Sequence, residues 1–244
     1  MDAAKINAKI YEGRGKAAQR LGYEFCVFRP KSAANPFDYH VRNIKAAFNA
    51  TDNTYKWPNL YGTNVWFADL NGNLTRSGDY LKRRGRPETY FIAEQQSLLP
   101  IVAVECNRII RIMSAVAPIA VTSVTGSVSA PTINALPYSG QCAETGAVTD
   151  LIGSALPVGT GNMPDGGMGW PCSILFAKGS VRSTVLLPTN ADKNEGWLML
   201  LPPSLPVIIR AGMVVIDDLG MKYKVNGAEQ TSLGWQVKLV DEHI

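Results

Sequence analysis

A β pattern occurs twice in this chain, and it constrains the fold more than any other feature. The first copy begins with the run Gly78-Asp79-Tyr80-Leu81 and the second with Gly212-Met213-Val214-Val215. Each start is followed by a hairpin loop, a strand with an aromatic residue, a second loop and a further strand. Turn residues between short alternating runs are typical of antiparallel hairpins. The repeat therefore predicts a mainly β protein with two small antiparallel barrel-like or sandwich-like units.

Changes of composition divide the 244 residues into four predicted segments. A capping residue, apolar residues at helical spacing and a glycine stop predict an N-terminal helix over residues 1–22. A first β domain over residues 23–112 and a second over residues 173–244 contain the two copies. Residues 113–172 are rich in Ser, Thr, Ala, Val and Gly, and we interpret them as an extended arm that lies on a partner subunit. A flexible tether between the two domains is the alternative.

Positive charge is concentrated in the first half of the chain. Residues 1–111 carry 17 Lys and Arg against 10 Asp and Glu, whereas residues 112–177 carry no cation and three acids. The N-terminal helix is basic, and Gly13 and Gly15 each weaken it by about 1 kcal/mol relative to alanine. We therefore expect the helix to dock on a surface. That surface belongs either to a neighbouring subunit or nucleic acid, or to the helix's own domain, which would leave a basic solvated face.

The cysteines and histidines do not form a metal-binding pattern. The four cysteines are far apart, no CxxC pair occurs, and the chain has two histidines. A zinc site needs clustered ligands, so we expect no metal and interpret the cysteines as buried reduced thiols. They are Cys26, Cys106, Cys142 and Cys172. The polar N-terminus and the absence of a long apolar run predict a soluble protein without signal peptide or membrane span, made in the cytoplasm.

No motif of the sequence supports catalysis. The glycine-rich stretch 159–169 lacks the Lys-Ser/Thr that a phosphate-binding loop requires. His40 has no partners in a triad motif, so we interpret it as a core or surface histidine. Asp217 and Asp218 are typical of a hairpin turn, and Glu94 and Glu229 would have to converge for acid–base chemistry. We expect no enzymatic activity, no catalytic residue and no cofactor.

One charge cluster suggests a binding site. Four cations lie between two predicted strands, at the tip of a hairpin in the first copy: Lys82, Arg83, Arg84 and Arg86. Cations that repel one another at a hairpin tip gain free energy when they contact phosphates and release counterions. The sequence leaves three interpretations open, which are DNA, an acidic protein partner and no partner.

Several runs of the chain resemble a family of structural proteins from the neck of tailed bacteriophages, where the head joins the tail. The similarity covers roughly residues 1–112, and the second copy extends it to the C-terminal part. The runs that carry it are Lys5-Ile6-Asn7-Ala8-Lys9-Ile10-Tyr11, Gly15 to Gly22, Phe28-Arg29-Pro30, Gly78-Asp79-Tyr80-Leu81, Thr89-Tyr90-Phe91-Ile92-Ala93 and Leu98-Leu99-Pro100-Ile101.

The resemblance implies a virion protein that assembles with copies of itself into a ring below the portal. Such head-completion, stopper or collar proteins contact portal or adaptor proteins and tail proteins, and the ring lines or seals the DNA channel. The basic loop would then face DNA in the channel or acidic neighbours, and no membrane would be involved. An alternative from another class is a tail or baseplate β module that binds host-surface carbohydrate through tryptophans: Trp57, Trp66, Trp170, Trp197 and Trp235. A small phage enzyme is a weaker alternative.

Overall fold

The computed structural model describes residues 3–49, 64–114, 149–152, 169–176 and 196–241. Over these residues the chain is mainly β, as predicted, with one N-terminal helix and two antiparallel units. The helix α1 spans Ala3–Leu21, and a 3-10 turn spans Gly72–Leu74. The strands are β1 Tyr23–Phe28, β2 His40–Asn49, β3 Val65–Asp69, β4 Tyr80–Arg83, β5 Thr89–Glu94, β6 Ile101–Cys106, β7 Arg108–Ser114, β8 Thr149–Ile152, β9 Trp170–Phe176, β10 Trp197–Leu201, β11 Val214–Asp217, β12 Lys222–Thr231 and β13 Gly234–Asp241.

The first unit is a closed six-stranded barrel. Its strands pair in the order β1-β2-β3-β6-β5-β4, and β4 pairs with β1 to close it. Phe25 and Val27 lie two residues apart on β1, so both point into the barrel, where they are almost fully buried. They pack there with Leu81 on β4 and Ile92 on β5.

The second unit repeats this topology with β7, β9, β10, β11, β12 and β13. Its strands pair in the order β11-β12-β13-β10-β9-β7, and a further pairing of β11 with β7 joins the two ends. We number the six strands of each unit from one to six in chain order. Starting from β1 in the first unit and from β7 in the second, the strands of both units then pair in the order one, two, three, six, five, four. The additional strand β8 pairs with β7. The repeat in the sequence therefore corresponds to a strand order that occurs in both units.

The glycine turn of the first copy marks the start of the fourth strand. Gly78 has a φ of +88°, in a turn closed by the N–H of Asp79, which donates to the carbonyl of Arg76 at 3.1 Å. The N–H of Gly78 donates to the carbonyl of Ile92 at 2.8 Å, and the N–H of Ile92 donates back to Asp79 at 2.9 Å. A positive φ favours glycine, so the residue type follows from the turn.

The second copy has the same turn at the same point of its unit. Gly212 has a φ of +89°, and the N–H of Met213 donates to the carbonyl of Arg210 at 3.4 Å. The N–H of Gly212 donates to Val225 at 2.8 Å, and the N–H of Val225 donates to Met213 at 2.8 Å. The two copies thus share a hydrogen-bond pattern as well as a sequence pattern.

The two units pack directly against each other. One hydrophobic cluster contains Tyr80 and Phe91 of the first unit together with Trp170 of the second. The buried hydroxyl of Tyr80 donates to the carbonyl of Pro171 at 2.8 Å, and the Trp170 indole donates to Ala33 at 2.7 Å. The chain changes units at Asn107, within the range 23–112 predicted for the first β domain, because β7 pairs with β9 and β11. Buried hydrogen bonds across a shared core hold the units in a fixed arrangement.

Most of the predicted arm, residues 113–172, lies outside the described residues. The exceptions are the end of β7, the strand β8, Gly169 and the start of β9. Both interpretations of this segment, an arm on a partner subunit and a flexible tether, therefore stay predictions.

The helix α1 packs on its own barrel, which is one of the two alternatives that the sequence leaves open. Tyr11 and Ala18 are buried against the barrel. Tyr11 covers Gly72, where a Cβ would meet its ring at 2.8 Å, and its hydroxyl donates to the carbonyl of Gln96 at 3.0 Å. At the end of the helix, the N–H of Gly22 donates to Ala18 at 2.8 Å. The opposite face of the helix remains in solvent.

Candidate functional site

The predicted cations lie together on the hairpin that joins β4 to β5. The N–H of Arg83 donates to the carbonyl of Glu88 at 2.9 Å, and the N–H of Arg86 donates to Arg83 at 3.4 Å. Gly85 at the tip has a φ of +75°, which suits a glycine. The hairpin therefore brings Lys82, Arg83, Arg84 and Arg86 to one end of the first unit.

Arg83 is engaged in contacts within the chain. Its Nη1 donates to both carboxylate oxygens of Glu88, at 2.8 and 2.6 Å, and its guanidinium lies 3.6 Å from the centroid of the Tyr23 ring. The hydrogen bonds that Arg83 donates to Glu88 raise the pKa of the Arg83 guanidinium. The contacts with Glu88 and Tyr23 therefore occupy the guanidinium of Arg83 within the chain.

Arg84 is paired as well, but in solvent. Its Nη1 lies 3.2 Å from Glu24 Oε1, and its N–H donates to the carbonyl of Glu24 at 3.0 Å. Both side chains are largely exposed, so the ion pair is weak and can exchange for another anion.

Lys82 and Arg86 are the available cations of this hairpin. Both residues are exposed, and Lys82 Nζ lies 5.2 Å from the centroid of the Phe37 ring. Within the described part of the chain, Arg86 forms no ion pair. Two of the four predicted charges are thus offset by Glu88 and Glu24. Glu88 lies five residues from Arg83, so the sequence could have predicted this ion pair. Glu24 comes from another strand, so its pairing with Arg84 could not be predicted in this way.

A cleft of about 480 Å³, which no motif of the sequence indicates, separates the hairpin from the second unit. Its charged lining residues are Lys82, Glu88, Glu105, Arg108 and Asp218. One oxygen of Asp218 is buried without a hydrogen-bond partner. Cys106 also lines the cleft, but burial raises the pKa of its thiol well above the usual value, which disfavours a nucleophilic thiolate. The described lining contains no histidine, and it combines two cations with three carboxylates.

The remaining sequence candidates do not converge on one site. His40 is exposed and its Nε2 lies 2.9 Å from Asn43 Oδ1, which is a local contact. Asp217 accepts hydrogen bonds from the N–H groups of Leu219 and Met221, at 3.0 and 2.8 Å, as the turn interpretation predicted. His243, Cys142 and all of the glycine-rich stretch except Gly169 lie outside the described residues.

The cysteines and tryptophans contribute mainly to packing. Cys26, Cys106 and Cys172 are free thiols, but only Cys172 is buried as predicted, whereas Cys26 and Cys106 are partly exposed. No group of three or more potential ligands among the described residues could hold a metal ion. Trp170 and Trp235 are buried, whereas Trp66 and Trp197 are half-buried. Trp57 lies outside the described residues. None of the four described tryptophans is exposed as a sugar-binding platform would require.

Comparison with protein-family models, with curated proteins and with solved structures finds no match for this chain. Within the described residues, no helix combines the length and the hydropathy that a membrane span requires.

Proposed function

We propose that this chain is a virion structural protein of the head-to-tail interface of a tailed phage. It would assemble as a ring that joins the portal to the tail and lines or seals the DNA channel. After synthesis in the host cytoplasm it would be located in the neck of the virion. The sequence resemblance suggests this function, and the packing of the two β units on one shared core is the observation that carries it.

A rigid block is what a load-bearing ring subunit requires. Trp170 and Tyr80 lie edge to face across the junction, with ring centroids 6.0 Å apart, and both are completely buried. Hydrogen bonds from side chains to backbone carbonyls and a shared core resist hinge motion between the two units. The polar groups of the junction, such as the Tyr80 hydroxyl, are used in structural contacts.

Exposed apolar side chains provide surfaces for contact between subunits. Leu98 and Leu99 are half exposed at the β5–β6 loop, and Leu98 has the left-handed φ of +67° that is costly for a leucine. On the second unit, Leu219 is 65% exposed at the β11–β12 turn. Apolar residues on both units favour assembly with like neighbours in a closed ring.

Electron microscopy of particles that lack this protein tests the proposal. We expect filled or leaking heads without tails, because the channel would be neither sealed nor joined. Normal infectious virions would contradict the neck function. Tailed particles that fail only in adsorption, together with glycan binding by the purified chain, would instead support the carbohydrate-binding alternative.

A further inference from the structure

The solvent face of α1 carries a straight row of cations along the whole helix. Lys5, Lys9, Lys16 and Arg20 are all exposed. At 3.6 residues per turn they fall within an arc of about 60°, and at 1.5 Å per residue the row is about 22 Å long. We define these four residues as the α1 stripe.

The packing of the helix fixes the direction of the α1 stripe. The residues that face the barrel are Tyr11 and Ala18. By helical geometry they lie on the side of the helix opposite the stripe. The stripe therefore points into solvent because the barrel occupies the other face. Among the described residues of the barrel, none forms an ion pair with a cation of the stripe.

A single acid interrupts the positive charge of the stripe. Glu12 lies on the same face, and its Oε1 is 2.9 Å from Lys16 Nζ. The hydrogen bond from Lys16 and the charge of that residue lower the pKa of Glu12. The other three cations, Lys5, Lys9 and Arg20, form no ion pair with a described residue. The net charge of the stripe with Glu12 is thus three positive charges.

Other cations extend the positive surface around the last turns of the helix. Lys45 is exposed on β2, and its Nζ donates to the carbonyl of Gln19 at 3.1 Å. Leu21 of the helix and Arg83 of the basic hairpin line one pocket of about 300 Å³. The last turn of the helix therefore lies beside the start of the basic hairpin.

We propose that the α1 stripe binds the phosphate backbone of double-stranded DNA without reading its sequence. The choice of DNA as the ligand rests on the proposed function. The α1 stripe is then the surface of the ring subunit that faces the DNA. A row of about 22 Å spans six to seven base pairs at 3.4 Å each, with one phosphate charge per 1.7 Å of duplex. Contacts from Lys and Arg to phosphate oxygens position a protein on the duplex and carry no sequence information.

The chemistry of the stripe favours DNA over an acidic protein. Three of its four cations are lysines, which are depleted in the buried cores of protein interfaces. The exposed large apolar residues of the helix, Ile6 and Leu21, are displaced from the centre of the stripe by roughly 70° or more. A stripe without an apolar centre lacks the anchors that protein interfaces use, whereas phosphate contacts need only charge.

Binding of the full chain to a short fluorescent DNA duplex, measured by anisotropy at salt concentrations between about 50 and 200 mM, tests the proposal. The variant K5Q/K9Q/R20Q removes the three unpaired cations. We expect an affinity loss of about tenfold or more at low salt. The slope of log K against log salt should fall by about 0.9 for each lost contact.

Two matched variants make the test specific. K222Q/K224Q/K238Q removes the same charge from exposed lysines of the second unit and should leave the affinity nearly unchanged. Glu12→Gln frees Lys16 and removes the one acid, so it should tighten binding and steepen the salt slope. An unchanged melting temperature of each variant shows that the fold is intact.

Three results would overturn the proposal. These are wild-type DNA binding by K5Q/K9Q/R20Q, an equal loss in the second-unit variant, and stripe-dependent binding of polyglutamate in place of DNA. None of these results bears on ring formation, which electron microscopy of the particles tests separately. Conversely, stripe-dependent DNA binding by a chain whose deletion leaves virions normal would contradict only the neck function.

Discussion

At the scale of single residues, the two repeat glycines differ in their surroundings although they share a backbone conformation. A Cβ on Gly78 would lie 2.4 Å from Ser204 of the second unit, whereas a Cβ on Gly212 meets nothing within 4 Å. The Ser204 hydroxyl also donates to the carbonyl of Gly78 at 3.0 Å. Gly78 therefore serves both a turn and the junction of the units, while Gly212 serves only a turn.

The pair Gly78→Ala and Gly212→Ala separates these two roles. We expect Gly212→Ala to lower the free energy of unfolding by about 1 kcal/mol, the cost of the left-handed conformation. Gly78→Ala should cost a further 1–3 kcal/mol, roughly the penalty of overpacking. Denaturant unfolding measures both variants, and equal losses would mean that Ser204 moves away at no cost.

Burial of tyrosine hydroxyls predicts a loss of stability at alkaline pH. Desolvation, assisted by the charges of Glu105 and Glu88, raises the pKa of Tyr90 to about 12. The ordinary tyrosine pKa is about 10, so between these values the unfolded chain loses a proton that the folded chain retains. The stabilising contribution is complete below about pH 10 and is lost as the pH rises to about 12.

The variant Tyr90→Phe checks this sign. Its free energy of unfolding should fall less steeply than that of the wild type between about pH 10 and 12, because one titrating group is removed. Chemical denaturation at several pH values gives the slope. An identical slope in both proteins would show that Tyr90 ionises equally in the folded and unfolded states.

At the scale of elements, α1 owes its position to close approaches that its glycines permit. A Cβ on Gly15 would lie 2.8 Å from the Cβ of Asn71, whereas a Cβ on Gly13 would meet nothing within 4 Å. Gly15 thus allows the helix to contact the β3–β4 connection. Gly13 only weakens the helix.

Because their surroundings differ, substitution of these two glycines by alanine should change the free energy of unfolding differently. Gly13→Ala should raise the free energy of unfolding by about 1 kcal/mol, since alanine is the better helix former and the site is open. Gly15→Ala gains the same propensity but must displace Asn71, so we expect no gain or a net loss. Thermal unfolding followed by circular dichroism compares them, and a similar gain in both would contradict the close packing of α1.

At the scale of the whole molecule, the shared core predicts that both units unfold together. The hydrophobic cluster that contains Trp170 of the second unit also contains Tyr80, Phe91 and Val104 of the first unit. Far-ultraviolet circular dichroism and tryptophan fluorescence should therefore report coincident transitions in denaturant. Tyr80→Phe should lower the free energy of unfolding by about 1 kcal/mol through the lost hydrogen bond to Pro171.

Two resolved transitions in the wild-type protein would contradict this prediction. They would show that the hydrogen bonds and packing at the junction add little to the stability of either unit. A single transition that Tyr80→Phe splits into two would instead assign the coupling of the units to that hydroxyl.

The local features of this fold could be predicted from the sequence because they depend on neighbouring residues. Alternation in Phe25 and Val27 indicates a strand, and the glycine turns at Gly78 and Gly212 indicate where strands begin. The basic helix and the mainly β class follow in the same way. The position of the four hairpin cations is local too, since they lie between paired strands.

The partners of these features were decided by the tertiary structure alone. Closure of the first barrel requires β1 to pair with β4, and the offset of the Arg84 charge requires Glu24, which lies 60 residues away. The α1 stripe points to solvent because the barrel covers Tyr11 and Ala18. Long-range pairing depends on the packing of the whole chain, so patterns within a short window determine which residues form elements but not which elements meet.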